Sequence, residues 1–112
     1  MIGETCYRLI AIVKPFKLDA VIESLRGLRV RDVVISEVRG YGRQKGHLEL
    51  YSGTEYSITF LPKVRVDMLC EPASLEPAID AIREAACTGR IGDGKIFVLE
   101  GEGVAPTAGA SA

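Results

Sequence analysis

The spacing of apolar residues changes twice between the period of a strand and that of a helix, and this alternation strongly restricts the possible folds. Residues 7–13 form a short, mostly apolar run between polar neighbours, which predicts a buried strand. In residues 18–25 the apolar positions recur three and four apart, which predicts an amphipathic helix. The β-branched stretch 32–38 then predicts a second strand.

The second half of the chain repeats this order. Residues 63–68 alternate between apolar and charged side chains, which predicts a strand with one face on the core. Residues 75–86 carry a helical stripe, with Ser74 as the expected N-cap and Gly89 as the expected stop. A last short strand is predicted over residues 95–99.

The order strand, helix, strand, strand, helix, strand is that of the ferredoxin-like α+β fold, with one antiparallel sheet and two helices on one face. The other sheet face is left bare, so we expect a homo-oligomer to cover it. A chain of 112 residues suits a single domain over 1–112, with its core in 6–99. Residues 101–112 are mainly Gly, Ala, Pro and Ser, which predicts a disordered tail.

Composition narrows the function classes. A charged fraction of 26% and a formal charge of -1 describe an ordinary globular chain without the positive field that nucleic acid or anionic membranes attract. No apolar run approaches the roughly 20 residues of a membrane span, and the first residues lack a signal-peptide pattern, so a cytoplasmic protein is expected. Cys6 and Cys70 are expected to be buried thiols, whereas a redox role for Cys87 stays open.

A glycine-rich segment is the strongest local motif. Residues 89–95, Gly-Arg-Ile-Gly-Asp-Gly-Lys, match the G-x-x-x-x-G-K spacing of a P-loop. A P-loop leads from strand to helix and continues with Ser or Thr, whereas this segment leads from helix to strand and continues with Ile96. The residues therefore leave two interpretations open, an anion-binding nest that includes Lys95 or a structural turn.

The polar stretch 43–54 is longer than a hairpin requires, which is typical of functional loops. Its basic residues, with Arg39, lack the aromatic platform of a nucleic-acid module. The single histidine, His47, has no second ligand beside it, so no metal site is expected from protein side chains. No nucleophile with a base and an orienting partner is apparent, so we expect a non-enzyme. A weak nucleotide phosphohydrolase using Lys95 is the alternative.

Several motifs in sequence order, spread over about residues 6–99, resemble the PII nitrogen-regulatory family. They are Lys14-Pro-Phe-Lys-Leu18, Glu37-Val-Arg-Gly-Tyr-Gly-Arg-Gln-Lys-Gly-His47, Glu49-Leu-Tyr51, Glu55-Tyr56, Phe60-Leu-Pro-Lys63 and Thr88-Gly-Arg-Ile-Gly-Asp-Gly-Lys-Ile-Phe97.

The resemblance implies a homotrimer that binds adenine nucleotides in the clefts between subunits and regulates a target protein through a T-loop, about residues 42–60. A B-loop, about residues 87–95, would hold the phosphates. The implied nucleotide-binding residues are Ile12, Gly40, Gly42, Arg43, Gln44, Thr88, Gly89, Arg90, Gly92, Asp93, Gly94 and Lys95. The implied effector-anion residues are Lys14, Gly42, Arg43, Gln44, Lys63 and Lys95.

The resemblance also implies a modification site. The tyrosine that is uridylylated in the family matches Tyr56, and Thr54 lies where some relatives carry a phosphorylatable serine. Ser52 replaces the arginine with which relatives plug an ammonium channel, which weakens that partner assignment.

The chain departs from the family near its end. Pro106 and Ala108 lie where relatives carry two arginines that reach the nucleotide phosphates. Because an arginine–phosphate contact contributes about 1.5–3 kcal/mol, we expect a preference for ADP or AMP over ATP. The second ligand is then either bicarbonate, as in divergent PII-like proteins associated with carboxysomes or bicarbonate transport, or 2-oxoglutarate beside Mg-ATP.

Overall fold

Four strands form one antiparallel sheet in the spatial order β2-β3-β1-β4, with two helices packed on it. The computed structural model describes residues 2–40, 60–90 and 92–103. Short 3-10 turns at Pro15–Lys17 and Pro72–Ser74 precede the helices. In chain order the elements are β1 (Ile2–Val13), α1 (Leu18–Ser24), β2 (Val30–Gly40), β3 (Leu61–Cys70), α2 (Leu75–Ala86) and β4 (Gly94–Gly103).

The central strand is β1, which pairs with β3 on one side and β4 on the other. Leu9 lies opposite both Met68 and Val98, and Ala11 lies opposite Val66. Two helices, four antiparallel strands and this strand order confirm the predicted ferredoxin-like fold.

The core lies between the sheet and the two helices. Along β3 the alternation predicted from the sequence is confirmed, because Val64, Val66 and Met68 are buried while the residues between them are half-buried. The helices add Val21 from α1 and Ile82 from α2. In α1, a helix of seven residues, the predicted apolar stripe is only partly buried, because Ile22 is exposed.

Two strand lengths predicted from the sequence are wrong at the same end of the sheet. β1 begins at Ile2 rather than at residue 7, and β4 runs to Gly103 rather than to residue 99. Residues 101–103 therefore belong to a strand and not to the predicted tail, whose remainder lies outside the described residues. The two extensions pair with each other through Cys6 opposite Gly101, and backbone pairing of this kind requires no apolar side chains.

β2 is also longer than the predicted strand over residues 32–38. Its register against β3 shifts between Arg31 and Val34, and Asp32 within this bulge has a φ of 54°. β3 is likewise longer than predicted, because it includes Pro62, which pairs with Arg39 on the edge strand β2.

Of the two predicted helix signals around α2, the N-cap position is confirmed, whereas the stop at Gly89 is wrong. Ser74 occupies the N-cap position, but its hydroxyl accepts a hydrogen bond from the Arg29 backbone N–H at 3.0 Å and makes no capping bond. The helix ends at Ala86, because Cys87 already has extended backbone angles before Gly89 is reached.

The predicted burial of two of the three cysteines is confirmed. Cys6 and Cys70 are buried free cysteines, and burial raises the pKa of the Cys70 thiol. Cys87 is free and exposed at the end of α2. Among the helices in the described ranges, none has the length and apolar character needed to cross a bilayer.

The sheet face opposite the helices carries exposed apolar residues together with a charged cluster. Phe97 and Leu99 are exposed, and the register places them beside Ile10 and Arg8 on this face. Arg8 donates two hydrogen bonds to Asp67, at 2.9 and 2.6 Å, and Arg65 donates a third at 3.0 Å. These bonds, led by that from Arg8, lower the pKa of the Asp67 carboxyl. The charged cluster therefore consists of Arg8, Arg65 and Asp67.

The packing of the core can be tested by substitution of a buried side chain. Met68 is fully buried opposite Leu9, so Met68→Ala should lower the free energy of unfolding by about 2–5 kcal/mol through lost contacts and a cavity. Urea denaturation at fixed protein concentration measures this change. The control Asp80→Ala alters an exposed position of α2 and should stay within about 0.5 kcal/mol of the unmodified protein. Equal losses in the two variants would contradict the described core.

Candidate functional site

Three lysines meet at one end of the sheet because the strand register brings their positions together. Val13, the last residue of β1, lies opposite Gly94 at the start of β4 and opposite Val64 near the start of β3. Lys14 follows Val13 directly, Lys63 precedes Val64, and Lys95 follows Gly94. The three lysines are therefore Lys14, Lys63 and Lys95, from three separate elements.

The B-loop, residues 87–95, depends on glycine backbone conformations. Gly89 and Gly92 have φ values of 80° and 91°, and Gly94 has a φ of 129°. At Gly94 an added Cβ would lie 1.9 Å from the Ile12 carbonyl oxygen, so only glycine fits at this point. The loop therefore comes close against the end of β1 and leaves its backbone uncovered by side chains at these glycines.

The Asp93 carboxylate points back into the loop and closes it. It accepts hydrogen bonds from the backbone N–H groups of Thr88 and Gly89 at 2.9 and 3.0 Å, and another from the Thr88 hydroxyl. The Arg90 backbone N–H in turn donates a hydrogen bond to Thr88 Oγ1 at 3.2 Å. Asp93 thus ties its own end of the loop to the end that follows α2.

These bonds determine how Asp93 ionises. The Thr88 hydroxyl and backbone bonds, with a smaller contribution from Lys14, lower the pKa of the Asp93 carboxyl well below its usual range. Because the folded-state pKa is depressed, the stability gained from these bonds is present above the usual Asp pKa. It is lost only as the pH falls through the depressed value. The carboxylate is therefore ionised throughout the neutral range.

The lysines have different partners. The Lys14 ammonium lies 3.2 Å from Asp93 Oδ1 and donates to Thr88 Oγ1 at 3.3 Å. Lys63 donates to the Gly92 carbonyl oxygen, which links β3 to the B-loop. Lys95 is exposed, and within the described part of the chain its ammonium has no ion pair or side-chain hydrogen bond. Of the three, Lys95 is the cation most available to a ligand.

The environment of Lys63 is strongly electropositive. Burial and then the charge of Lys14 lower the pKa of the Lys63 ammonium, Lys95 lowers it further, and Asp93 opposes the shift. Gly40, at the end of β2, leaves room for the lysine stem, since a Cβ there would lie 3.3 Å from Lys63 Cγ.

These residues suit an anion. Three lysines and one aspartate leave a formal excess of two positive charges at the sheet end. The uncovered glycine backbone of the B-loop would let a phosphate or carboxylate approach closely. Burial is the main cause of the lowered pKa of Lys63, and such a ligand would reduce the repulsion from Lys14 and Lys95 that adds to it.

A cavity of about 430 Å³ adjoins this cluster between α2 and β4. This volume lies in the range of small-molecule sites. Arg83, Cys87 and Lys95 lie at its polar part, and Ile12 also contributes. Its apolar lining includes Ile79, Ile82, Ala86, Ile96 and Val98.

The structure places most of the predicted site residues at this sheet end. Those in the described ranges are Ile12, Lys14, Gly40, Lys63, Thr88, Gly89, Arg90, Gly92, Asp93, Gly94 and Lys95. Gly42, Arg43, Gln44, Thr54 and Tyr56, with nearly all of the predicted T-loop, lie outside the described residues.

The residue pattern alone did not indicate that Asp93 accepts hydrogen bonds within its own loop. It also did not indicate that two further lysines lie beside this loop. Lys14 and Lys63 entered only through the family resemblance, because they lie outside the glycine motif in sequence. The pairing of Thr88 with Asp93 had a signal, since an acidic side chain within an anion-binding loop requires donors of its own.

Comparison with known proteins gives consistent matches. The family described as "Nitrogen regulatory protein P-II" matches residues 6–105. The chain is 57% identical over 88 residues to nitrogen regulatory protein P-II of Rhodospirillum rubrum, covering 79% of each chain. It is 53% identical over 89 residues to nitrogen regulatory protein GlnK of Escherichia coli K12, covering 80% of each.

A solved structure is also similar. The crystal structure of Arabidopsis thaliana PII bound to citrate aligns with a TM-score of 0.66 and 35% sequence identity. The alignment covers 86% of this chain and 77% of that one.

The close approach at Gly94 predicts a large effect of substitution. Gly94→Ala would place a Cβ against the Ile12 carbonyl at a φ that side chains rarely adopt, and it should lower the free energy of unfolding by about 3 kcal/mol or more. Gly27→Ala is the matched control, because Gly27 also has a positive φ but open space around it, and should cost about 1–2 kcal/mol. Urea denaturation compares the two, and equal losses would contradict the close contact between the B-loop and β1.

Proposed function

This chain belongs to the nitrogen regulatory protein P-II family, and we propose that it binds an adenine nucleotide and a small anionic effector and signals their binding through residues 42–60. Membership of this family makes it a non-catalytic regulator of the signal-transduction type. The observation that carries the ligand proposal is the convergence of Lys14, Lys63 and Lys95 on a glycine-rich loop.

The B-loop is the proposed phosphate site. Gly92 and Gly94 have no side chain between the backbone and a ligand, and Lys95 supplies a charge that no described residue neutralises. Thr88, Gly89, Arg90 and Asp93 would form the remainder of the loop around the phosphates, with Gly40, Gly42, Arg43 and Gln44 completing the site from the T-loop base. The cavity between α2 and β4, with Ile12 at its edge, offers apolar surface beside Lys95 for the ring system of a nucleotide.

The small anionic effector is proposed to bind near Lys63 and Lys95, with Lys14 adding positive potential and Gly42, Arg43 and Gln44 lying alongside. The similarity to Arabidopsis thaliana PII bound to citrate supports a carboxylate-type ligand. The effector is either bicarbonate, which would place the protein in inorganic-carbon control, or 2-oxoglutarate, which would place it in nitrogen control. The described residues contain no group of three or more His, Cys, Asp or Glu side chains for a metal, so magnesium would enter with ATP.

Nucleotide preference follows from the end of the chain. Pro106 and Ala108 replace the two arginines of the family pattern, so fewer cations reach the distal phosphate. We expect ADP or AMP to bind more tightly than ATP.

Isothermal titration calorimetry tests the nucleotide site. ADP should bind, and Lys95→Met should weaken its binding about tenfold or more, because a charge-assisted contact is lost while most of the unbranched side chain is kept. Lys17→Met removes a lysine three positions after Lys14 and should leave the affinity unchanged. Equal affinities for the unmodified protein and the Lys95 variant would contradict the proposed phosphate site.

The same titrations identify the effector when they are repeated with each candidate. Tighter ADP binding in bicarbonate supports inorganic-carbon control, and tighter ATP binding in magnesium and 2-oxoglutarate supports nitrogen control. A tenfold preference for ATP over ADP would contradict the proposed effect of Pro106 and Ala108.

We further propose that three chains assemble through the sheet face opposite the helices. Phe97 and Leu99 are exposed on one side of the charged cluster there and Val34 on the other, and exposed large apolar side chains grouped on one face are typical of an interface. Assembly would place residues of one subunit beside the B-loop of its neighbour. A target protein would contact the T-loop, with Tyr56 as a uridylylation site and Thr54 as a phosphorylation site.

Sedimentation equilibrium tests the assembly. The unmodified protein should have three times the chain mass of 12.1 kDa. Leu99→Glu should shift it toward the monomer, because it would replace an apolar contact in each interface by a carboxylate that loses its hydration. Ile22→Glu alters an exposed apolar residue of α1 and should leave the trimer intact. A monomeric unmodified protein, or an unaffected Leu99 variant, would contradict this arrangement.

A further inference from the structure

We infer that Lys14 and Asp93 are positioning residues: their ion pair holds the B-loop in its anion-binding shape, and Lys14 does not itself contact the anion. The family resemblance places Lys14 among the effector-anion residues, whereas its contacts in the structure point to an internal role. The inference rests on the proposed function for the identity of the ligand. The contacts themselves are independent of any ligand.

The Lys14 ammonium is already engaged. It lies 3.2 Å from Asp93 Oδ1 and 3.3 Å from Thr88 Oγ1. The side chains of Lys14 and Asp93 are 19% and 25% exposed, so the pair is partly withdrawn from water. A charge held between two oxygen acceptors in this way is a poor candidate for a direct ligand contact.

The Asp93 carboxylate occupies donors that an anion would otherwise use. The backbone N–H groups of Thr88 and Gly89 both donate to it, at 2.9 and 3.0 Å. A phosphate must therefore bind further along the loop, toward Gly94 and Lys95. The carboxylate also brings a negative charge into an anion site, and the neighbouring Lys14 neutralises it.

The lysines thus have separate tasks. Lys14 neutralises Asp93 and fixes the start of the B-loop, Lys63 holds the Gly92 carbonyl, and Lys95 remains for the ligand. If Lys14 and Asp93 act through the loop, removing either one should have the same effect on phosphate binding. Removing both should have little additional effect.

A double-mutant cycle on the full chain tests this division. The variants are Lys14→Met, Asp93→Asn and the pair, and the controls are Lys17→Met and Asp19→Asn, which remove like charges from nearby exposed or half-buried positions. Calorimetry measures ADP and adenosine, because adenosine lacks the phosphates that the B-loop would hold. General destabilisation of the protein would weaken the binding of both ligands, whereas misplacement of the B-loop would weaken the binding of ADP alone.

We expect each single variant to weaken ADP binding about tenfold, and the pair to weaken it about tenfold rather than a hundredfold. Adenosine binding should not change, and Lys14→Arg should restore most of the ADP affinity. The controls should match the unmodified protein. Tighter ADP binding by Asp93→Asn would overturn the inference, because it would show that the carboxylate competes with the ligand for Lys14. Additive losses in the pair would overturn it as well.

Amide hydrogen exchange without ligand provides a separate readout. In Lys14→Met and Asp93→Asn the Thr88 and Gly89 amides should exchange about tenfold faster or more, and Lys14→Arg should restore protection. Unchanged exchange in both variants would overturn the ion pair as the loop's support. Failure of the unmodified protein to bind ADP would instead contradict the proposed function, while the exchange result would still decide the role of the pair. Should Asp93→Asn not fold, the comparison of Lys14→Met with Lys14→Arg decides the question by the same two measurements.

Discussion

The pairing of β1 with both β3 and β4 is the constraint on which the rest of this structure depends. Leu9, Ala11 and Val13 of this strand are buried beneath the helices, so its register cannot slip without moving them to the other face. That register places Val13 between Val64 and Gly94. The positions of the lysine cluster and the B-loop follow from it, and so does the exposed face that we propose as the subunit interface.

The proposed anion site combines backbone conformation with charge in a way that neither provides alone. Gly94 lets the B-loop approach the Ile12 carbonyl, and this contact connects the loop to the rigid end of the central strand. Burial lowers the pKa of the Lys63 ammonium, and repulsion from Lys14 and Lys95 lowers it further. Asp93 offsets part of that repulsion from inside the loop. The B-loop is therefore held against β1, and the lysines beside it leave an excess of positive charge. This combination is suitable for a protein that senses an anionic ligand.

The fold could be predicted largely from the sequence because hydrophobic period reports directly on the two regular structures. The alternation of Val64, Val66 and Met68 with charged residues indicated the buried face of β3 correctly. The errors lie where side chains carry no such signal. The extensions of β1 and β4 pair through their backbones, with Ile2 opposite Gly103 and Cys6 opposite Gly101, and the Ser74 hydroxyl bonds to Arg29, which is distant in sequence. Local propensity contains no information about partners of that kind.

The site shows the same division between local and distant information. By itself, the sequence determined the order of elements, the glycine loop with its lysine, and membership of a family through motifs spread along the chain. Only the tertiary structure decided that Lys14 pairs with Asp93, that Lys63 donates to the Gly92 carbonyl, and that Lys95 has no ion pair among the described residues. The reason is physical: periodicity and turn chemistry act between near neighbours in the chain. The pairing of charges depends instead on a sheet register that brings together Lys14 and Asp93, which lie 79 positions apart in the chain.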